Sequence, residues 1–201
     1  MTAVMHDTAS PLAQAMQLHA FLLGGGQLGP VADLPGTAFD PGEYTVTRLD
    51  SGLGYARLCT AAPQAVPVQS GGVTVMVGDP AYVAGFALGA TLRSTMQHRA
   101  IRRACTPQWR SQPLVATALT TRRLWTDVLD GGQVKRHWAN HEMVTDIRLA
   151  GDRLELYFAR GAPLSLTGPW APWCAALIAH YRYGTRAAAV LPSLNSVLPY
   201  R

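Results

Sequence analysis

The stretch LVATALTTRRLW, residues 114–125, decides the fold that the sequence predicts. Its first half is rich in apolar and β-branched residues, residues 120–123 are polar, and Leu124 and Trp125 begin a second apolar run. Apolar segments of this length on either side of a polar break are typical of consecutive strands. The stretch therefore predicts a strand, a polar corner carrying two arginines, and the start of a second strand.

Downstream of this corner the strand pattern continues at intervals of about ten residues. The predicted strands cover residues 122–129, 133–138, 143–149, 153–158 and 164–166, and the segment GPWAPW at residues 168–173 opens a helix that runs to about Tyr183 and is closed by Gly184. Regularly spaced short strands followed by one helix predict an antiparallel sheet or barrel that the helix caps.

The residues before the corner add two helices and three strands to the prediction. Ser10 as N-cap, Pro11 at the first helical position and Gly24 as the stop predict an N-terminal helix. Strands are expected at residues 43–49 and 53–60, joined as a hairpin through residues 50–52, and at residues 73–77. A further helix is expected over about residues 80–104.

This order predicts three parts of the chain. Residues 1–42 form an N-terminal helix and linker, residues 43–184 form the main domain with the helix at about 80–104 inserted, and residues 185–201 form a C-terminal tail. We expect the tail to pack back through its apolar side chains, Val190, Leu191, Leu194 and Leu198.

The central and C-terminal patterns resemble the GRAM and bacterial pleckstrin-homology-like (PH-like) domains. The resemblance rests on Thr120, Arg123 and Leu124, on Leu154 to Phe158, and on Leu164 to Pro169. It implies an α+β fold, a PH/GRAM-like antiparallel barrel or split sheet capped by a C-terminal helix. It also implies a non-catalytic scaffold that binds lipid, peptide or protein. The inserted helix departs from the family pattern.

Positive charge is concentrated next to the corner. Residues 93–123 contain seven arginines and no acidic residue, in a chain whose formal net charge is +5. Such a segment suits an anionic membrane surface or a protein partner, and nucleic acid is a weaker alternative because no base-reading motif accompanies it. The residues assigned to anionic-ligand binding are Arg93, Arg99, Arg102, Arg103, Arg122 and Arg123.

A structural interpretation of the arginine segment stays open beside the binding one. Small residues let a helix pack closely, and cations at a helix C-terminus complement its dipole. The small residues Ala81, Gly85 and Gly89 fall four apart on one helical face and give a third possibility, self-association into a homo-oligomer.

Signals for catalysis are weak, and no cofactor, metal site or catalytic residue is expected. His137, His141 and Glu142 could form a small metal-dependent enzyme site and Cys105 a thiol-dependent one, but the histidine spacing is not that of a zinc-protease helix. The literal GxGxxG match at Gly24, Gly26 and Gly29 follows a predicted helix instead of a strand, which argues against dinucleotide binding.

The expected location is the cytoplasm, with at most a peripheral membrane contact. Three cysteines without CxxC spacing indicate no disulfide framework, and no apolar run approaches the ~20 residues that span a bilayer.

Overall fold

The computed structural model describes residues 10–31, 34–59 and 107–195. Two helices of thirteen residues and nine strands make up most of this described part. The elements are α1 (Pro11–Leu23), β1 (Thr45–Leu49), β2 (Gly54–Cys59), β3 (Gln108–Gln112), β4 (Leu114–Thr120), β5 (Arg123–Asp130), β6 (Gln133–Asn140), β7 (Val144–Ala150), β8 (Arg153–Phe158), β9 (Leu164–Thr167), α2 (Ala171–Tyr183) and the short α3 (Ala187–Val190).

The described strands form two antiparallel sheets. One sheet has four strands in the order β1-β4-β5-β6, and the other has five in the order β3-β2-β9-β8-β7. The predicted α+β class with a C-terminal helix is confirmed. Of the two predicted forms of the sheet, the described strands show two separate sheets and no closed barrel.

One hydrophobic core joins both sheets to α1 and α2. Leu119 of β4 and Leu166 of β9 are fully buried, and α1 contributes Leu18 and Leu22. In α2 the six consecutive residues 174–179 are all fully buried. A helix buried on every side must have protein around its whole circumference, and α2 packs against both α1 and strands β7 and β8.

The predicted hairpin of the first two strands is wrong. β1 pairs with β4 in the four-stranded sheet, whereas β2 pairs with β9 in the five-stranded sheet. The reason lies in a close backbone approach: a Cβ on Gly168 would lie 2.4 Å from the carbonyl oxygen of Gly52. Both glycines have positive φ, +80° at Gly52 and +121° at Gly168. Residues 50–52 therefore form a corner between the sheets instead of a hairpin turn.

Several local predictions are confirmed. The hydroxyl of Ser10 accepts a hydrogen bond from the Ala13 N–H at 3.3 Å, as an N-cap does. Gly184 follows α2 with a φ of +57°. In the C-terminal tail Leu191 and Leu194 are buried in the core.

Other predictions lie outside the described residues, namely the strand at 73–77, the helix at about 80–104 and Leu198. Contacts divide the chain into two units, residues 1–58 with 109–201, and residues 59–108. The predicted three-part division at residues 42 and 184 stays a prediction. None of the described helices is long and apolar enough to cross a membrane.

Candidate functional site

The polar corner between β4 and β5, here called the TTRR corner (Thr120–Arg123), is organised by the Thr120 hydroxyl. Its Oγ1 accepts hydrogen bonds from the backbone N–H groups of Arg122 and Arg123, at 3.2 and 2.8 Å. The same hydroxyl donates to Oε1 of Glu43 at 2.6 Å. A threonine that binds the backbone two and three residues ahead fixes a tight turn without glycine.

Glu43 is the buried acid of this corner, and its side chain is 0% exposed. Besides the Thr120 hydroxyl, its carboxylate accepts the Asp40 N–H at 3.1 Å and faces Nη2 of Arg123 at 3.0 Å. Because a buried carboxylate without partners is strongly unfavourable, these contacts offset the cost of burying Glu43.

Arg123 neutralises this acid and fastens the segment before β1. Its guanidinium also donates to the Asp40 carboxylate. The guanidinium carbon lies 5.6 Å from the ring centre of Trp125 and 5.3 Å from that of Trp138, within the range of cation–π attraction. With a side chain only 12% exposed, Arg123 is an internal cation and not a surface charge.

Arg122, in contrast to Arg123, lies at the surface. Its side chain is 56% exposed, and its nearest acid, Asp40, lies 4.0 Å away. Of the six arginines predicted to bind anions, Arg122 is therefore the one that the described part of the chain presents to solvent. The other members, Arg93, Arg99, Arg102 and Arg103, lie outside the described residues, and their role stays a prediction.

His141 closes the corner from the other side. Its backbone N–H donates to the Arg122 carbonyl at 2.8 Å, and its ring Nε2 lies 3.0 Å from the Thr120 carbonyl oxygen. The ring stacks on Tyr181 of α2 with centres 5.8 Å apart. Desolvation by burial lowers the pKa of His141 from 6.5 to about 4, so the imidazole is neutral at physiological pH.

Neither predicted enzyme site finds support in these contacts. Within residues 10–31, 34–59 and 107–195, no group of three or more His, Cys, Asp and Glu side chains could hold a metal ion, which leaves His137, His141 and Glu142 outside any such group. Burial raises the pKa of the Cys174 thiol to about 12, so that thiol stays protonated. Cys105 lies outside the described residues.

A second surface lies on the last strand of the four-stranded sheet. Among the described strands, β6 pairs with β5 alone and therefore forms an edge. Val134 and Trp138 of this strand are 58% and 54% exposed, the two highest values among the large apolar side chains that the structure describes. Between them Arg136 is held by two hydrogen bonds of 2.7 and 2.8 Å to the Asp127 carboxylate and one of 2.9 Å to the Pro35 carbonyl.

Sequence reasoning missed the two acids and this edge. Glu43 and Asp40 were assigned to a strand start and a linker. Thr120, which bonds to Glu43, lies 77 residues from it, a separation at which no periodic pattern connects residues. The signal available in the sequence was the pair of arginines in a strand corner, because an arginine that becomes buried needs an acid nearby.

The corner predicts different costs for the loss of its two arginines. Replacing Arg123 with Met leaves the Glu43 carboxylate buried without its cation, so we expect the free energy of unfolding to fall by about 3 kcal/mol or more. Arg122→Met, the matched neighbour, should change it by less than about 0.5 kcal/mol. Urea unfolding measures both. Equal losses in the two variants would contradict this account of the corner.

The pKa of His141 predicts a loss of stability in mild acid. The folded pKa of about 4 lies below the unfolded value of 6.5, so the unfolded chain binds the proton first. The His141 contribution is complete above pH 6.5 and falls by at most roughly 3 kcal/mol as the pH drops to 4. Urea unfolding of the native chain and of His141→Gln across this range should show a shallower decline in the variant. Burial also lowers the pKa of His19 and His180. The native chain and His141→Gln both contain these two histidines, so the difference between their stabilities reports His141.

Comparison with protein-family models, with curated proteins and with solved structures gives no match for this chain. The GRAM and PH-like resemblance therefore remains a prediction.

Proposed function

We propose that this protein is a non-catalytic binding module that docks an extended segment of a protein partner along the edge of β6. The observation that carries the proposal is the edge of β6, which pairs with β5 alone among the described strands and carries two large exposed apolar side chains, Val134 and Trp138. Addition of a strand to an open sheet edge is a common mode of peptide recognition, in which backbone hydrogen bonds supply affinity and side-chain contacts supply specificity.

The register between β5 and β6 leaves the backbone groups of every second residue of β6 without a bond to β5. The His141 N–H donates to the Arg122 carbonyl, and the β5–β6 register continues without a shift from Arg123↔Asn140 to Asp130↔Gln133. Because antiparallel pairs alternate between bonded and non-bonded positions, residues 133, 135, 137 and 139 face β5. The N–H and C=O groups of residues 134, 136, 138 and 140 consequently point away from β5.

The side chains at those same positions form a pre-arranged platform. Val134, Arg136 and Trp138 occupy every second position of β6 and therefore lie on one face of it. Trp138 packs beside Trp125 with ring centres 6.3 Å apart. Arg136 is fixed by Asp127, and Arg123 lies against both indoles. Groups that are already held lose less entropy when a partner binds, which favours docking.

The family resemblance supports the same function. We propose that the chain is a divergent PH/GRAM-like domain, in which two antiparallel sheets and a C-terminal helix correspond to the split barrel and its cap. Membership would imply a non-catalytic binding scaffold. The α+β class and the buried α2 support this assignment, which no match to a known family accompanies.

The docking proposal predicts that peptide binding depends on both side chain and backbone of β6. Linear peptides selected from a display library on the full chain should bind at least about tenfold more weakly to Trp138→Ala, as for a central aromatic anchor. Val134→Pro should weaken binding similarly, because it removes an outward N–H while leaving the ladder to β5 intact. Isothermal titration calorimetry measures the affinities.

The matched control is Val115→Ala, which removes an apolar side chain that is 45% exposed elsewhere in the same sheet. Its affinity should equal that of the native chain. Selected peptides that bind Trp138→Ala and Val134→Pro as tightly as the native chain would overturn docking at β6.

A second candidate function, docking to an anionic membrane surface, is favoured by the charge of the arginine segment. The seven arginines between residues 93 and 123 carry +7 without any acidic residue. Each basic residue near an anionic bilayer contributes about 1 kcal/mol of attraction. Since Arg123 is committed to Glu43, the contact set for this function is Arg93, Arg99, Arg102, Arg103 and Arg122.

The membrane candidate predicts salt-sensitive cosedimentation with phosphatidylserine vesicles and none with neutral phosphatidylcholine vesicles. The triple change of Arg99, Arg102 and Arg103 to Ala should abolish it. A charge-matched control changes Arg48, Arg148 and Arg153, which are at least 42% exposed, and should retain binding. Equal sedimentation with both vesicle types, unaffected by the first triple variant, would exclude this function.

A further inference from the structure

A histidine lies on the buried face of α1. The residues that this face buries are Ala15, Leu18, His19 and Leu22, which recur at helical spacing. His19 is 1% exposed, and both of its ring nitrogens are buried without a hydrogen-bond partner among the described residues. Because buried polar atoms are almost always bonded, this ring calls for an explanation.

The helix on the other side of this contact provides a second histidine. α1 packs mainly against α2, and His180 in the last turn of α2 lies close enough for its charge to act on His19. Nδ1 of His180 is also buried without a partner in the described part of the chain. Two like charges disfavour each other, so a proton on one ring opposes a proton on the other.

The segments that form this contact contain no acidic residue. Residues 10–31 include α1 and have no Asp, Glu, Lys or Arg. Residues 168–195 include α2, and their charged side chains are two cations, Arg182 and Arg186. A buried charge is strongly unfavourable unless an opposite charge pairs with it. A proton at the α1–α2 contact therefore has no counter-charge in either helix.

Burial is the largest effect on the titration of His19, and it lowers the pKa of this ring. The charge of His180 lowers the pKa further, and burial lowers the pKa of His180 as well. The amide of Asn195 raises the pKa of His19 without reversing the net direction, and its Nδ2 donates to the Ala188 carbonyl at 3.0 Å. Both rings are therefore neutral at neutral pH while α1 and α2 stay in contact.

We propose that His19 and His180 make the α1–α2 contact a pH-sensitive switch, in which mild acid releases α1 from α2 while the two sheets stay folded. The ring nitrogens of His19 are buried, so His19 takes up a proton when α1 moves away. The main contacts of α1 are with α2 and the turn Pro192–Leu194, so α1 can leave without breaking a strand pair. The switch involves no residue of β6 and holds whether or not the docking function is correct.

The direction of the switch follows from the two protonation states. In the open state both imidazoles meet water and bind protons with the ordinary pKa of 6.5, whereas in the closed state their pKa is lower. The contact is therefore at full strength above pH 6.5 and weakens as the pH falls below this value. Each histidine that gains a proton on opening shifts the opening equilibrium by up to about tenfold per pH unit.

Hydrogen exchange of the full native chain, followed by NMR between about pH 6.5 and about pH 5, tests the switch. After correction for the intrinsic exchange rates, the protection of the α1 amides should fall at least about tenfold over this range. At about pH 5 these amides should be at least about tenfold less protected than the amides of β8, because α1 opens before the sheets unfold.

The double variant His19→Leu, His180→Gln removes both titrating rings, so the protection of its α1 amides should change by less than about threefold over the same range. His137→Gln, which changes a histidine of β6, is the matched control and should keep the native fall. Circular dichroism establishes that both variants are folded. Two results would overturn the proposal. One is equal protection of the α1 and β8 amides in the native chain at the acidic end of the range. The other is a double variant that keeps the native fall.

Discussion

The rest of the structure depends on one buried ionic contact, the Glu43 carboxylate against the Arg123 guanidinium. It joins the segment that leads into β1 to the corner between β4 and β5, and the Thr120 hydroxyl bonds to both sides of this junction. A buried ion pair adds little net stability when compared with well-packed apolar residues. Removing one partner is costly, however, because it leaves the other charge buried without compensation.

The same contact links the interior of the four-stranded sheet to its exposed edge. Arg123 lies against Trp125, which is buried, and Trp138, which is largely exposed on β6. The position of the Trp138 ring is therefore set from inside the protein. On the opposite side of the corner, His141 bonds to the Thr120 carbonyl and its ring stacks on Tyr181 of α2. The TTRR corner is therefore held by contacts to the β6 edge on one side and to α2 on the other.

Local signals in the sequence predict the bounds of most helices and strands, but they do not predict which strands pair or which side chains meet. The bounds of β8 were predicted as they occur, and those of α2, β5 and β9 to within about three residues, because alternation, caps and turn glycines act over a few positions. The pairing of β1 with β4 and the burial of Glu43 were missed. Both depend on residues brought together across the chain, as does the approach of Gly168 to Gly52 that separates β1 from β2.

The contrast between Arg122 and Arg123 has a consequence for how such sequences can diverge. The two side chains are identical and adjacent, yet one is surrounded by two indoles and a buried acid while the other extends into solvent. Mutations at position 123 must be compensated at Glu43, so the two positions should change together in related sequences. Position 122 makes no comparable buried contact in the described part of the chain, so it can vary without a matching change at Glu43.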